Sequence, residues 1–210
     1  MAIMDPIIIF SIAILIMSVV IHEVAHGYAA LYQGDVTAKY AGRLTLNPIK
    51  HLDPLGSVIL PGILALLNTG FIFGWAKPVP YNPYNLKNQR WGELIVAIAG
   101  PLSNIAIAIV FGLIIRISPL LNIPSSFVEI SLLVVIINLV LAVFNLMPIP
   151  PLDGSKIAFS LLPSEKAIAF KNFTERYGLI LVVLFIFIFW QVIFLLVMFL
   201  AEILTGLNLF

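Results

Sequence analysis

Residues 6–31 read PIIIFSIAILIMSVVIHEVAHGYAAL. As a helix, this run is long enough to cross a hydrocarbon core of about 30 Å, which takes about 20 apolar residues. Near its end, however, it carries His22, Glu23 and His26. An ionisable side chain inside a span costs about 3 kcal/mol on insertion scales and marks function by default. H-E-x-x-H on a helix puts both histidines on one face, one turn apart, so their imidazoles converge on one zinc ion. The glutamate between them then stands where it can take the proton of an attacking water. The plain alternative, two packing histidines and a glutamate at headgroup level, leaves the cost of insertion unexplained.

The whole chain fits a lipid setting. Of its 210 residues 61% are hydrophobic and 10% charged, against about 45–50% and about 25% in soluble domains. The sequence therefore predicts an all-α polytopic membrane protein in contact with the lipid bilayer. A net charge of +1, with no basic cluster interleaved with aromatics, gives no nucleic-acid partner. With no cysteine, disulfides, thiolate metal sites and cysteine nucleophiles are excluded. The start, MAIMDPIII, lacks a basic n-region, so the first run reads as a retained span.

Further apolar runs lie at about 55–73, 91–117, 127–147 and 178–204. Ten of the eleven basic residues fall between runs: Lys39, Arg43 and Lys50; Lys77, Lys87 and Arg90; Lys156, Lys166, Lys171 and Arg176. Loops rich in lysine and arginine stay cytoplasmic. All three loops share that side only if 55–73, broken by Pro61-Gly62, is re-entrant or interfacial. The expected topology is four transmembrane helices with both termini outside, in a cytoplasmic membrane. A fifth crossing is the alternative that hydropathy alone allows.

A catalytic zinc takes three protein ligands and keeps one position open. The third ligand comes from among His51, Asp53, Glu93, Glu129 and Asp153. Asp153 follows the fourth span, which in this topology ends on the same side as His22 and His26. A crossing at 55–73 would place it on the opposite face. His51 and Asp53, in NPIKHLDP, read as turn and capping residues.

Two motifs together, His22–His26 (HEVAH) and Asn145–Gly154 (NLMPIPPLDG), resemble the signatures of the site-2 protease family of intramembrane zinc metalloproteases. AGPLSN at 99–104 resembles that family's middle core signature. The resemblance implies one integral membrane protease domain over 1–210. Its three-helix catalytic core would be about 6–31, 91–117 and 127–147, with an accessory span at about 178–204. It assigns one Zn2+ per chain to His22, His26 and Asp153, the proton transfer to Glu23, and a donor toward substrate or oxyanion to Asn145. The implied substrate is a transmembrane-helix protein cut near the cytoplasmic side, in regulated intramembrane proteolysis. Within 1–210 neither a PDZ-like insertion nor a CBS-like domain is expected.

From its residues alone, Asn145 either faces the metal or caps the carbonyls of a span that Pro148 stops. Asn104 reads as an interhelical hydrogen-bonding residue. GWAKPVPYNPYN at 74–85 is extended, and is expected either to hold an unwound substrate by strand addition or simply to connect. A metal-ion transporter or sensor would use the same three ligands, but has no need of Glu23.

Overall fold

The computed structural model describes residues 6–59, 63, 76–162 and 164–209. Among these it is all-helical. The long helices are α1 (Pro6–Tyr32), α3 (Gly92–Leu121), α4 (Ser125–Asn145) and α6 (Ser164–Thr205); α2 (Thr37–Tyr40) is a single turn and α5 (Asp153–Leu161) is short. Four helical stretches are long and apolar enough to cross a membrane: Ile7–Tyr32, Gly92–Leu121, Ser125–Asn145 and Phe187–Thr205. The chain is a multi-pass membrane protein.

Local chemistry sets the helix ends. Asn122, left-handed at φ 50°, closes α3 with its N–H returned to the Ser118 carbonyl; asparagine tolerates that conformation. Pro124 then precedes α4 and completes a tight reversal. Pro148 disfavours helical backbone at Met147, and α4 ends at Asn145, two residues short of the sequence expectation. At the other extreme, α6 starts fourteen residues before its expected span, because nothing in SEKAIAFKNFTER breaks a helix.

In lipid, helices associate through close packing and interhelical hydrogen bonds rather than the hydrophobic effect. The α3–α4–α6 contact is made of small and branched residues, among them Ala108, Val135, Val197 and Ala201, all nearly inaccessible. Gly112 lets the Leu204 region of α6 approach; a Cβ there would lie 2.9 Å from Leu204 Cβ. Between α1, α3 and α4 the contact is polar. Asn138 Nδ2 donates to Ser18 Oγ (3.0 Å) and Val134 O (2.9 Å), and Asn104 Nδ2 donates to Asn138 Oδ1 (2.8 Å).

Contacts at the helix ends fix the topology. The end of α1 meets the start of α3, where His26 Nδ1 reaches Val96 O at 2.7 Å. Just outside, Lys87 N–H donates to Gln33 O at 2.7 Å. The end of α1 and the start of α3 therefore lie on one face. Apart from 55–59 and Ile63, the expected re-entrant run 55–73 lies outside the described residues; Pro54–Ile59 is a turn of π-helix. At the opposite end Arg116 Nη2 caps Ile203 O at 2.6 Å, so α6 finishes on the face where α1 begins.

Candidate metal centre

His22 and His26 stand one turn apart on α1, with ring centroids 4.6 Å apart and planes at 86°. Asp153 is the first residue of α5 and is delivered by the loop after α4. His22 Nε2 lies 3.0 Å from Asp153 Oδ2, His26 Nε2 lies 3.2 Å from it, and the two Nε2 atoms are 3.0 Å apart. Ligands about 2.05 Å from a tetrahedral zinc stand about 3.3 Å from one another. The observed triangle is close to one face of that tetrahedron. All three residues are buried, and they form a group able to hold a metal ion.

The proton positions follow from the partners. A backbone carbonyl only accepts, so His26 Nδ1–H donates to Val96 O. For His22 the reasoning starts further away. Asn138 must donate to the Val134 carbonyl, which turns its Oδ1 toward Asn104; Asn104 must then donate with Nδ2, which turns its own Oδ1 toward His22. His22 Nδ1–H therefore donates to Asn104 Oδ1 at 2.6 Å. In its neutral form each histidine, with the proton on Nδ1, turns an Nε2 lone pair to the point where the Asp153 oxygen arrives. Three electron-pair donors with no proton between them suit a cation. Hydrogen bonds from the remote imidazole nitrogen are what hold metal-binding histidines in place.

Gly100 makes this convergence possible. A Cβ built on it would run into His26 Nε2. Val96, one turn earlier on α3, supplies the acceptor for His26. A Cβ on Gly154 would similarly collide with the Leu146 carbonyl, so the loop can fold back and deliver Asp153.

A cavity of about 120 Å3 opens at the triangle. Glu23, Asn145, Tyr81 and Lys156 line it alongside the three candidate ligands, with Pro78, Val79 and Pro151 completing the wall. Glu23 Oε2 accepts from the backbone N–H of Val79 at 2.8 Å. Asn145 lines the cavity and donates one amide hydrogen to Leu141 O at 2.9 Å. The Tyr81 phenol is pushed up to about 12, first by burial and then by the Glu93 and Asp153 carboxylates, and stays protonated. Lys156 Nζ lies 5.2 Å from the Tyr81 ring centroid.

The other candidate ligands lie outside the group. His51 is buried, with Nε2–H donating to Thr45 O at 2.9 Å. Asp53 Oδ1 accepts from Gly56 N–H at 2.7 Å, a capping contact. Glu93 sits in the first turn of α3, and Glu129 is near the start of α4 at the far end.

Residues 76–82 carry no helix and Asn82 is extended, but Pro83–Asn85 form a turn of 3-10 helix, so the segment expected to be extended over 74–85 stops at 82; residues 74 and 75 lie outside the described residues. Residues 76–82 form a strap fastened to the protein itself. Lys77 N–H donates to His51 O, Arg43 Nη2 donates to Lys77 O at 2.6 Å, and Asn82 N–H donates to Asp35 Oδ2 at 2.7 Å. Pro78 and Pro80 have no N–H. Strand addition would therefore have to rest largely on the strap's carbonyls.

With this geometry in view, the likeness to known proteins is specific. Residues 120–189 match the model of peptidase family M50. Three curated relatives share the printed name "Putative zinc metalloprotease". YwhC of Bacillus subtilis (strain 168) is 41% identical over 179 residues, 82% of this chain and 78% of its own. MJ0611 of Methanocaldococcus jannaschii is 33% identical over 159 residues, 70% of this chain and 72% of its own. Rip2 of Mycolicibacterium smegmatis is 33% identical over 142 residues, 66% of this chain and 52% of its own. The chain belongs to peptidase family M50. It is a membrane zinc metalloprotease of this site-2 protease family, and zinc is its metal. No solved structure matches it. The M50 site was largely visible in the sequence through its two motifs. Ser18, Asn138, Tyr81 and Lys156 were missed, and of these only Asn138, an amide inside VVIINLVLAV, carried a signal; Gly100 lay within AGPLSN but was given no role of its own.

Proposed function

We propose that this M50 protease is an intramembrane endopeptidase of the cytoplasmic membrane. It hydrolyses a peptide bond within the transmembrane segment of a membrane-tethered protein. One protease domain spans the chain, with α1, α3 and α4 as its catalytic core and α6 as accessory span. His22, His26 and Asp153 hold the zinc, which when bound polarises the scissile carbonyl and a water. Glu23 takes the proton of that water as it attacks and passes it to the leaving amine. The Val79 amide keeps the Glu23 carboxylate turned into the cavity. Asn145 offers its remaining amide hydrogen and carbonyl to the substrate backbone.

The observation that carries this reading is the depth of the triangle. His22 and His26 lie ten and six residues before the end of α1, about 15 and 9 Å along the helix axis. A metal centre carried within a helix long and apolar enough to span supports a substrate met inside the bilayer. Sidedness is supported by charge: Lys39, Arg43, Lys50, Lys77, Lys87, Arg90 and Lys156 all flank the site end, and Arg116 alone lies at the other. Basic residues flank the cytoplasmic ends of spans.

The test is zinc content and cleavage of a panel of single-span substrates in detergent, for wild type and Glu23→Gln together. The expected result is about one zinc per chain in both and cleavage by wild type alone. Zinc in both with full cleavage by the variant would remove Glu23 from its role; no zinc in either would remove the ligand set.

A further inference from the structure

Most hydrogen-bond donors at the cavity are wholly or partly committed within the protein, and of the two side chains that are not, one is neutral and one carries a charge. Both histidine Nδ1–H groups serve Val96 O and Asn104 Oδ1. The Val79 N–H serves Glu23, and Asn145 spends one hydrogen on Leu141 O. The Tyr81 hydroxyl is a neutral donor. That leaves the Lys156 ammonium. It lies one turn beyond Asp153 on α5, and residues at this spacing share a helix face. Among the described residues, the ion pairs within 4.0 Å at this site join the histidines to Asp153 and leave Lys156 out. The ring of Tyr81 holds its head instead, a contact that fixes a cation without consuming its charge. Tyr81 and Val79 sit two residues apart on the same strap, so one extended segment positions both the base and the lysine.

Resting on the endopeptidase reading above, we infer that Lys156 is a catalytic residue, which donates to the oxyanion of the tetrahedral intermediate from its perch on Tyr81. As the water oxygen bonds to the carbonyl carbon, its proton goes to Glu23 and the carbonyl π pair moves onto oxygen. Lys156 meets that new negative charge with an N–H hydrogen bond and transfers no proton. The protonated base then delivers its proton to the nitrogen as the C–N bond breaks. The charge Lys156 answers exists only in the transition state and intermediate, so its contribution belongs in kcat rather than in ground-state binding.

The experiment compares full-length wild type, Lys156→Met and Lys156→Arg, zinc-loaded in detergent, on a panel substrate. Binding of an alkyl phosphinate peptide, a tetrahedral anionic probe, is measured on the same samples. Lys156→Met should keep one zinc per chain and its KM, lose about 10²–10³-fold in kcat, and bind the phosphinate more weakly by a comparable factor. Lys156→Arg should recover part of both. A kcat within twofold of wild type overturns the assignment. So does a raised KM at unchanged kcat, which would make the lysine a contact for an acidic substrate side chain, and so does loss of zinc. Cleavage by neither wild type nor variant would count against the endopeptidase reading, while the phosphinate arm still reads the lysine without turnover.

Discussion

Asn138 touches neither the metal ligands nor the cavity, yet the tautomer of His22 depends on it. Its side chain is fully buried at the α1–α4 contact, and its orientation passes through Asn104 to His22 Nδ1. Losing an outer partner of a ligating histidine typically costs 10–100-fold in metal affinity. Asn138→Leu is therefore expected to weaken zinc by about 10–100-fold, read by competition with a chromophoric chelator, with α-helical content unchanged. Gly100→Ala should do more, because its added methyl occupies the place where the two Nε2 atoms meet. The expected outcome is a folded protein with zinc content near zero. At this scale the sequence was legible where a residue type is costly in lipid. His22, Glu23, His26 and Asn145 announced themselves against an apolar background. Lys156 did not, because a lysine in a basic loop is ordinary there until the fold turns it toward Tyr81.

The strap at 76–82 is held by its neighbours' side chains rather than by a sheet. Asp35 is its main fastening. Fully buried, it accepts from Thr37 Oγ1 at 2.6 Å and Asn85 Nδ2 at 2.9 Å besides the Asn82 amide. Burial pushes its carboxyl up, but the hydrogen bonds from Thr37, Asn85 and Asn82 outweigh this and hold it below the usual carboxylate value. The stabilisation it gives is thus present above its unfolded pKa of about 3.9 and fades as pH falls through the lower folded value. Hydrogen exchange at Val79 and Asn82, corrected for intrinsic rate, should therefore quicken only below about pH 4. In Asp35→Asn it should be fast already at neutral pH. The segment's extended shape was readable from its prolines, but its attachments were not. They run from main-chain groups to residues more than thirty positions away, and no periodicity encodes them.

Taken whole, the molecule separates a site face from a far face. The site face carries the ends of α1 and α4, the start of α3 and the strap; the far face carries the α3–α4 turn and the end of α6. Apolar length gave five candidate runs, and the placement of lysine and arginine reduced the expected spans to four, the number of long apolar helices among the described residues. What the sequence left unstated is how α6 meets the rest. That contact depends on small residues such as Gly112, which admits Leu204, and Ala201, buried in the shared core, and small residues are common in every span. The natural chain has no cysteine, so single cysteines report sidedness without background. In intact cells, a cysteine at Asn122 should react with an impermeant maleimide and one at Asn88 should react only after lysis. The reverse pattern would invert the topology.

The bond that holds the base, Val79 N–H to Glu23, belongs to the main chain. Trimming the Val79 side chain leaves its donor in place, so a scan by alanine passes over one of the closest partners Glu23 has. Proline alone, among the twenty residues, deletes that hydrogen. The strap already carries proline on either side, at 78 and 80, which makes the amide between them the one main-chain donor of residues 78–80. Val79→Ala should leave kcat within a few-fold of wild type, and Val79→Pro should depress it by an order of magnitude or more at constant zinc. In this protease a position that looks tolerant to side-chain replacement can still be indispensable through its peptide bond.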